Sequence, residues 1–193
     1  MLSKFSAFLL NSANFKKIGL LVILFLGFQF LIFPFFLERI GASEQYKIPD
    51  LVFGFSFEQA YAFLSHLDED GRKAYLTTLV WIDSVYPLIY GFMLALIIGK
   101  IHGAAPELTK KHKRLNLTPI AATFADFLEN TGIIVMLLAY PAKLNFAAQL
   151  ASVFGMIKWT LIVISIGIII LSLLALMLPS KRTLVNGQGL EEK

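Results

Sequence analysis

The sequence predicts an all-α integral membrane protein, a four-helix bundle with a short amphipathic helix in its first outer loop. Three observations carry this. The 193 residues are 57% hydrophobic with a mean hydropathy of +0.72, more apolar than an ordinary soluble domain. The apolar residues gather in four runs, Ile18–Leu37, Leu79–Gly99, Leu117–Tyr140 and Leu150–Leu178, each at or above the ~20 residues that a bilayer crossing needs. Too little chain remains for a separate soluble domain, so residues 1–193 read as one unit.

The first run follows Lys16 and Lys17 and is long for a signal-peptide core. "GAS" at 41–43 offers a cleavage context, but an uncleaved anchor is the expectation. Eleven Lys and Arg residues fall in the N-terminal tail, the 100–116 loop and the C-terminal tail, against five in the 38–78 loop and the third loop. The bias places both termini in the cytoplasm, in a plasma or inner membrane. The net charge of +4 is then cytoplasmic-face anchoring. No basic-aromatic motif points to nucleic acid. The chain has no cysteine, which excludes disulfides, thiolate metal sites and cysteine nucleophiles.

The first outer loop carries seven acids. Within it, "SFEQAYAFLSHL" (56–67) opens with Ser56 and places Gln59 three residues on, a capping-box pattern. Phe57, Tyr61 and Leu64 then recur at helical spacing, which predicts an amphipathic helix on the outer surface. It would be either a cover for the bundle or a lid over a cavity, with Tyr61 as a ligand contact. "DEDG" (68–71) ends that helix and lacks the spacing of a calcium loop.

Span two contains "WIDSVYPLIYGFMLALIIG" (81–99), with Asp83, Tyr86, Pro87 and Tyr90 on one helical face. Pro87 cannot donate to the carbonyl of Asp83, so a kink or a freed carbonyl is expected at the acid itself, and in a bilayer that carbonyl must find a partner. Gly91, Ala95 and Gly99 form a small-residue row for close helix contact, open to a homo-oligomer. Span three holds Ala122, Ala125, Asp126 and Glu129 on one face, with Thr123 and Asn130 alongside. Asp126 and Glu129 lie about nine and twelve residues from its start, or about 13 and 18 Å deep. Carboxylates at that depth face a bundle interior, not lipid. In span four, Ala151, Gly155, Lys158 and Trp159 share a compatible spacing. The alternative for Lys158 and Trp159 is a plain interfacial anchor.

These depths converge in the outer half of the bundle, with Asp83 at the mouth and Asp126 at the floor. Glu129, Asp126, Asp83 and Lys158 are the candidate catalytic residues, and Glu129 comes first because it has no nearby span end. Tyr86, Tyr90, Asn130, Trp159 and Tyr61 are the candidate ligand contacts. Three acids and one lysine leave a formal deficit of two, which predicts a proton or a cation held in the site. The histidines, His66, His102 and His112, all read as loop residues, so no metal site is expected. No cofactor motif, zinc-protease motif, nucleophile elbow or phosphate loop is present.

The stretches "GRKAYL", "DSVYPLIY", "ADFLEN" and "IKW" resemble a family of small four-span bacterial membrane proteins with D-x-x-[YF]-P, D-x-x-E-N and K-W signatures. The resemblance covers about residues 56–160 and implies four spans, a shared polar site and a bacterial inner membrane. Three functions then compete. The site binds or acts on a lipid-like or amphipathic molecule; or the acids only hold helices together in an accessory protein; or they serve proton- or ion-coupled transport. The inner half below Asp126 reads as nearly free of polar groups, which counts against a complete ion pathway.

Overall fold

The computed structural model describes residues 1–40, 46–104 and 114–177. The "GAS" stretch, the lysines at 110, 111 and 113 and the C-terminal tail lie outside the described residues. Within them the chain is helical, with no strand. A first helix, α1 (Leu2–Ser12), occupies what reads in sequence as a simple tail. Phe5 and Leu9, four residues apart on one face, pack against Ala95 and Leu96. Asn14 caps α2 (Phe15–Gly27) by accepting from the Lys17 N–H at 2.9 Å.

Helix α2 passes through a π turn, Phe28–Ile32, into α3 (Phe33–Ile40). A short 3-10 turn follows at Pro49–Leu51. Then come α4 (Phe57–His66), α5 (Glu69–Thr77), a second π turn at Thr78–Ile82, and α6 (Tyr86–Ala104). A 3-10 turn at Leu115–Leu117 leads into α7 (Thr118–Ala139), and α8 (Asn145–Met177) completes the bundle. Four runs are long and apolar enough to cross a membrane: Phe15–Ile40, Glu69–Ala104, Leu115–Ala139 and Asn145–Met177.

The capping box at α4 forms as expected, with the Gln59 N–H donating to Ser56 Oγ and the Ser56 N–H donating to Gln59 Oε1. The Ser56 hydroxyl also donates to Glu58 at 2.7 Å, which holds that carboxyl below its usual value. The "DEDG" segment does more than end this helix. Asp68 accepts from the Gly71 N–H at 2.7 Å and so starts α5, and the second membrane run begins ten residues before the sequence places it. The Arg72 guanidinium donates to the Leu67 carbonyl and pins the joint between the two helices.

Small residues set the helix contacts. A Cβ at Gly132 on α7 would come within 2.8 Å of Ala151 Cβ on α8. A Cβ at Gly91 on α6 would overlap the Thr123 hydroxyl of α7, and one at Gly99 would meet Leu9, Leu10 and Ala13 of the α1 region. The Gly91–Ala95–Gly99 row is therefore covered by the chain's own helices and presents no free face to a second copy. His102 is a correction to the sequence reading. It lies in α6, not in a loop, 2% exposed, with Nε2 3.2 Å from Ser172 Oγ on α8. That end of the bundle is not free of polar groups either, since Ser6 and Asn116 also bond there.

Candidate functional site

The break between the second π turn and α6 falls at residues 83–85, where Pro87 removes the donor that the Asp83 carbonyl would otherwise use. That carbonyl finds a partner across the bundle, accepting from Asn130 Nδ2 at 3.3 Å. The same amide donates to Asp83 Oδ2 at 3.2 Å. The Pro87 carbonyl itself accepts from the Thr123 hydroxyl at 2.7 Å. One proline thus explains the break before α6 and the tie of the Asp83 carbonyl to α7, and its own carbonyl makes a second tie.

On α7, Asp126 and Glu129 face inward as the small residues around them require, Ala122 and Ala125 being buried beside them. Glu129 is 0% exposed. Gly155 of α8 lies opposite it, and a Cβ there would overlap Glu129 Oε1. The bare backbone lets the carboxylate lie against α8 and reach Lys158, 2.5 Å away at Oε2. Lys158 is also 3.7 Å from Asp126 Oδ1 and donates to the Asp50 carbonyl at 2.9 Å. It is 5% exposed, so it is an interior cation and not an interfacial anchor. Asp126 Oδ2 accepts from the Tyr90 hydroxyl at 2.9 Å. Asp126 Oδ1, Glu129 Oε1, Asn130 Oδ1 and Trp159 Nε1 are buried and make no hydrogen bond among the described residues.

A cavity of about 490 Å³ opens beside this network. Met93, Leu94, Ile162 and Ile166 make its apolar length, and Phe25 and Phe33 line it where they pack on Tyr86. Asp50, Asp83, Tyr86, Tyr90, Asp126 and Lys158 make its polar end, with Trp159 at their edge. The first span packs on α6 and makes at most marginal contact with α8, and exposed residues from both sides, Gln29 and Ile166, line the cavity. The opening therefore faces sideways, between the first and last spans.

The sequence-derived candidates divide into two groups. Asp83, Tyr86, Tyr90, Asp126, Lys158 and Trp159 reach the cavity wall. Glu129 and Asn130 do not line it: they stand behind Lys158 and Asp83 and hold them. Tyr61 joins neither group. It is buried in α4 against α7 and α8, and its hydroxyl accepts from the Leu144 N–H at 2.6 Å. Helix α4 is thus a packed cap over the ends of α7 and α8, not a lid on the cavity. The roof is the Pro49–Leu51 turn, whose Asp50 and Leu51 line the cavity. Asp50 is tied there twice, by Lys158 at its carbonyl and by the Tyr75 hydroxyl at Oδ1, 2.5 Å away.

Asp50, Tyr75 and Gln29 are absent from the sequence-derived set. A signal existed for Tyr75: with α5 starting at Glu69, Tyr75, Leu79 and Asp83 recur every four residues. None existed for Asp50, since only the folded chain lays that turn over α8. Among the described residues no cluster of three or more His, Asp and Glu side chains is arranged to hold a metal ion. Comparison of the chain with protein-family models, curated proteins and solved structures yields no match.

Proposed function

We propose that this chain is a multi-pass protein of the plasma or inner membrane that holds, or acts on, a lipid-like or amphipathic small molecule. One observation carries the reading: a cavity apolar along its length ends at carboxylates, tyrosines and an ammonium. A small-molecule site has this composition, mostly apolar with a few convergent polar groups. The sideways opening suits a molecule that partitions into lipid. If the site does chemistry, Asp83 and Asp126 are the acid-base candidates, because they reach the cavity where Glu129 does not. The D-x-x-Y-P, D-x-x-E-N and K-W signatures would then mark this network in any bacterial chain that carries them.

The test is retention of an amphiphile without detergent. Protein excised from membranes in polymer nanodiscs should carry an amphiphile at a ratio above that of the surrounding lipid. Ile162→Trp fills the apolar wall and should lose that molecule at an unchanged Tm. Equal retention by the variant defeats the reading. A structural role is the second reading, favoured by the complete enclosure of Glu129; it predicts no retained molecule in either protein.

The proposed orientation has both termini in the cytoplasm and the α4 end outside. Because the chain has no cysteine, single cysteines report it cleanly. Ser65→Cys and Asn145→Cys should label from outside, and Ala104→Cys should not. The reverse pattern overturns the orientation.

A further inference from the structure

The charges around the cavity do not balance. Asp50, Asp83, Asp126 and Glu129 surround a single ammonium, Lys158. That ammonium is already engaged: it lies 2.5 Å from Glu129, which stands behind the wall, and 3.7 Å from Asp126, which stands on it, and it donates to the Asp50 carbonyl at 2.9 Å. Asp126 is 3% exposed, lines the cavity and has an oxygen, Oδ1, with no hydrogen bond. Asp83, 7% exposed on the same wall, has the Asn130 amide as its carboxylate's one hydrogen-bond donor among the described residues. An anionic head would meet three carboxylates at this end. Opposite a neutral head they would have to be neutralised by protons, the usual fate of an unpaired buried carboxyl. A cation compensates them. The rings of Tyr86, Phe33, Phe25 and Trp159 line the same space, and aromatic faces attract ammonium groups.

We infer that the ligand is an amphiphile with a cationic, alkylammonium-type head, seated between Asp83 and Asp126, its hydrocarbon lying along Met93, Ile162 and Ile166. This rests on the amphiphile reading above and adds the sign of the head. An ammonium there is held by charge at one end and by apolar burial along the rest, so neither part suffices alone. Glu129 takes part by holding Lys158 at 2.5 Å, nearer to itself than to Asp126 at 3.7 Å, which makes it a positioning residue.

The experiment titrates the full chain in lipid nanodiscs with three probes of equal chain length: dodecyltrimethylammonium, dodecyl sulfate and dodecyl maltoside. The ammonium probe should bind roughly tenfold tighter than the other two. Asp126→Asn should abolish that preference, and Asp83→Asn, in case the first fails to fold, should weaken it. Equal binding of all three probes that Ile162→Trp still blocks overturns the cationic head and leaves the amphiphile site standing. Tightest binding by the sulfate probe overturns it in the same way. No binding of any probe, with Ile162→Trp indistinguishable from the wild type, overturns the amphiphile reading and this inference with it.

Discussion

Two buried asparagines separate the two ends of the bundle. Near α1, Asn116 is 1% exposed and uses both sides of its amide: Nδ2 donates to the Ser6 carbonyl at 3.0 Å and Oδ1 accepts from the Ser6 hydroxyl at 2.6 Å. Near α4, Asn130 is 4% exposed and uses only one among the described residues: Nδ2 serves Asp83 while Oδ1 finds no hydrogen bond there. The same contrast holds for their surroundings. The α1 end is closed by Gly99 against Leu9, Leu10 and Ala13, and its buried Ser6–Asn116 pair carries no formal charge. The α4 end combines four acids, one lysine, unpartnered oxygens and a cavity. Paired polar groups in a packed interior join helices. Charged and incompletely paired ones beside a space leave valences for something else to fill.

The largest expected effect tests whether the α4 end is held by charge. Lys158→Met leaves Glu129 enclosed without its cation and should lower stability by about 3–5 kcal/mol, as breaking a buried pair does. Adding Glu129→Leu should recover most of that loss, because a well-packed apolar pair of similar volume is often neutral. Thermal unfolding of the two variants in nanodiscs decides. A single variant as stable as the wild type would mean that the ion pair does not anchor α7 to α8.

The next effect is smaller and belongs to the other end. Asn116→Ala removes both side-chain bonds to Ser6 from a buried site, which should lower stability by about 1–2 kcal/mol. Amphiphile retention should not change. A variant that keeps its Tm but loses the amphiphile would erase the distinction between the ends.

The smallest stability effect sharpens the comparison most. Asn130→Ala should lower stability by only about 0.6 kcal/mol, the average for side-chain bonds between membrane helices. Its retention of amphiphile should nevertheless fall, because Asp83 loses the one donor that orients both its carboxylate and its carbonyl. A large stability loss with retention intact would make Asn130 a counterpart of Asn116 and place both ends in the structural class.

What the chain alone determined is what depends on near neighbours. Hydropathy over a span length marks four membrane runs, since crossing a bilayer is a property of consecutive residues. Proline at 87 announces a freed carbonyl at Asp83, because the missing bond is four residues away. The capping box at Ser56 and the inward face of α7 are equally local. The tertiary structure decided which acids reach the cavity. Asp126 and Glu129 are one helical turn apart and indistinguishable by pattern, yet Gly155 draws Glu129 onto α8 and leaves Asp126 on the wall. It also moved the roof from α4 to the Pro49–Leu51 turn and brought in Asp50, over one hundred residues from Lys158. Helical periodicity gives the direction in which a side chain points. What stands there is set by the packing of other helices, and no spacing along one segment encodes it.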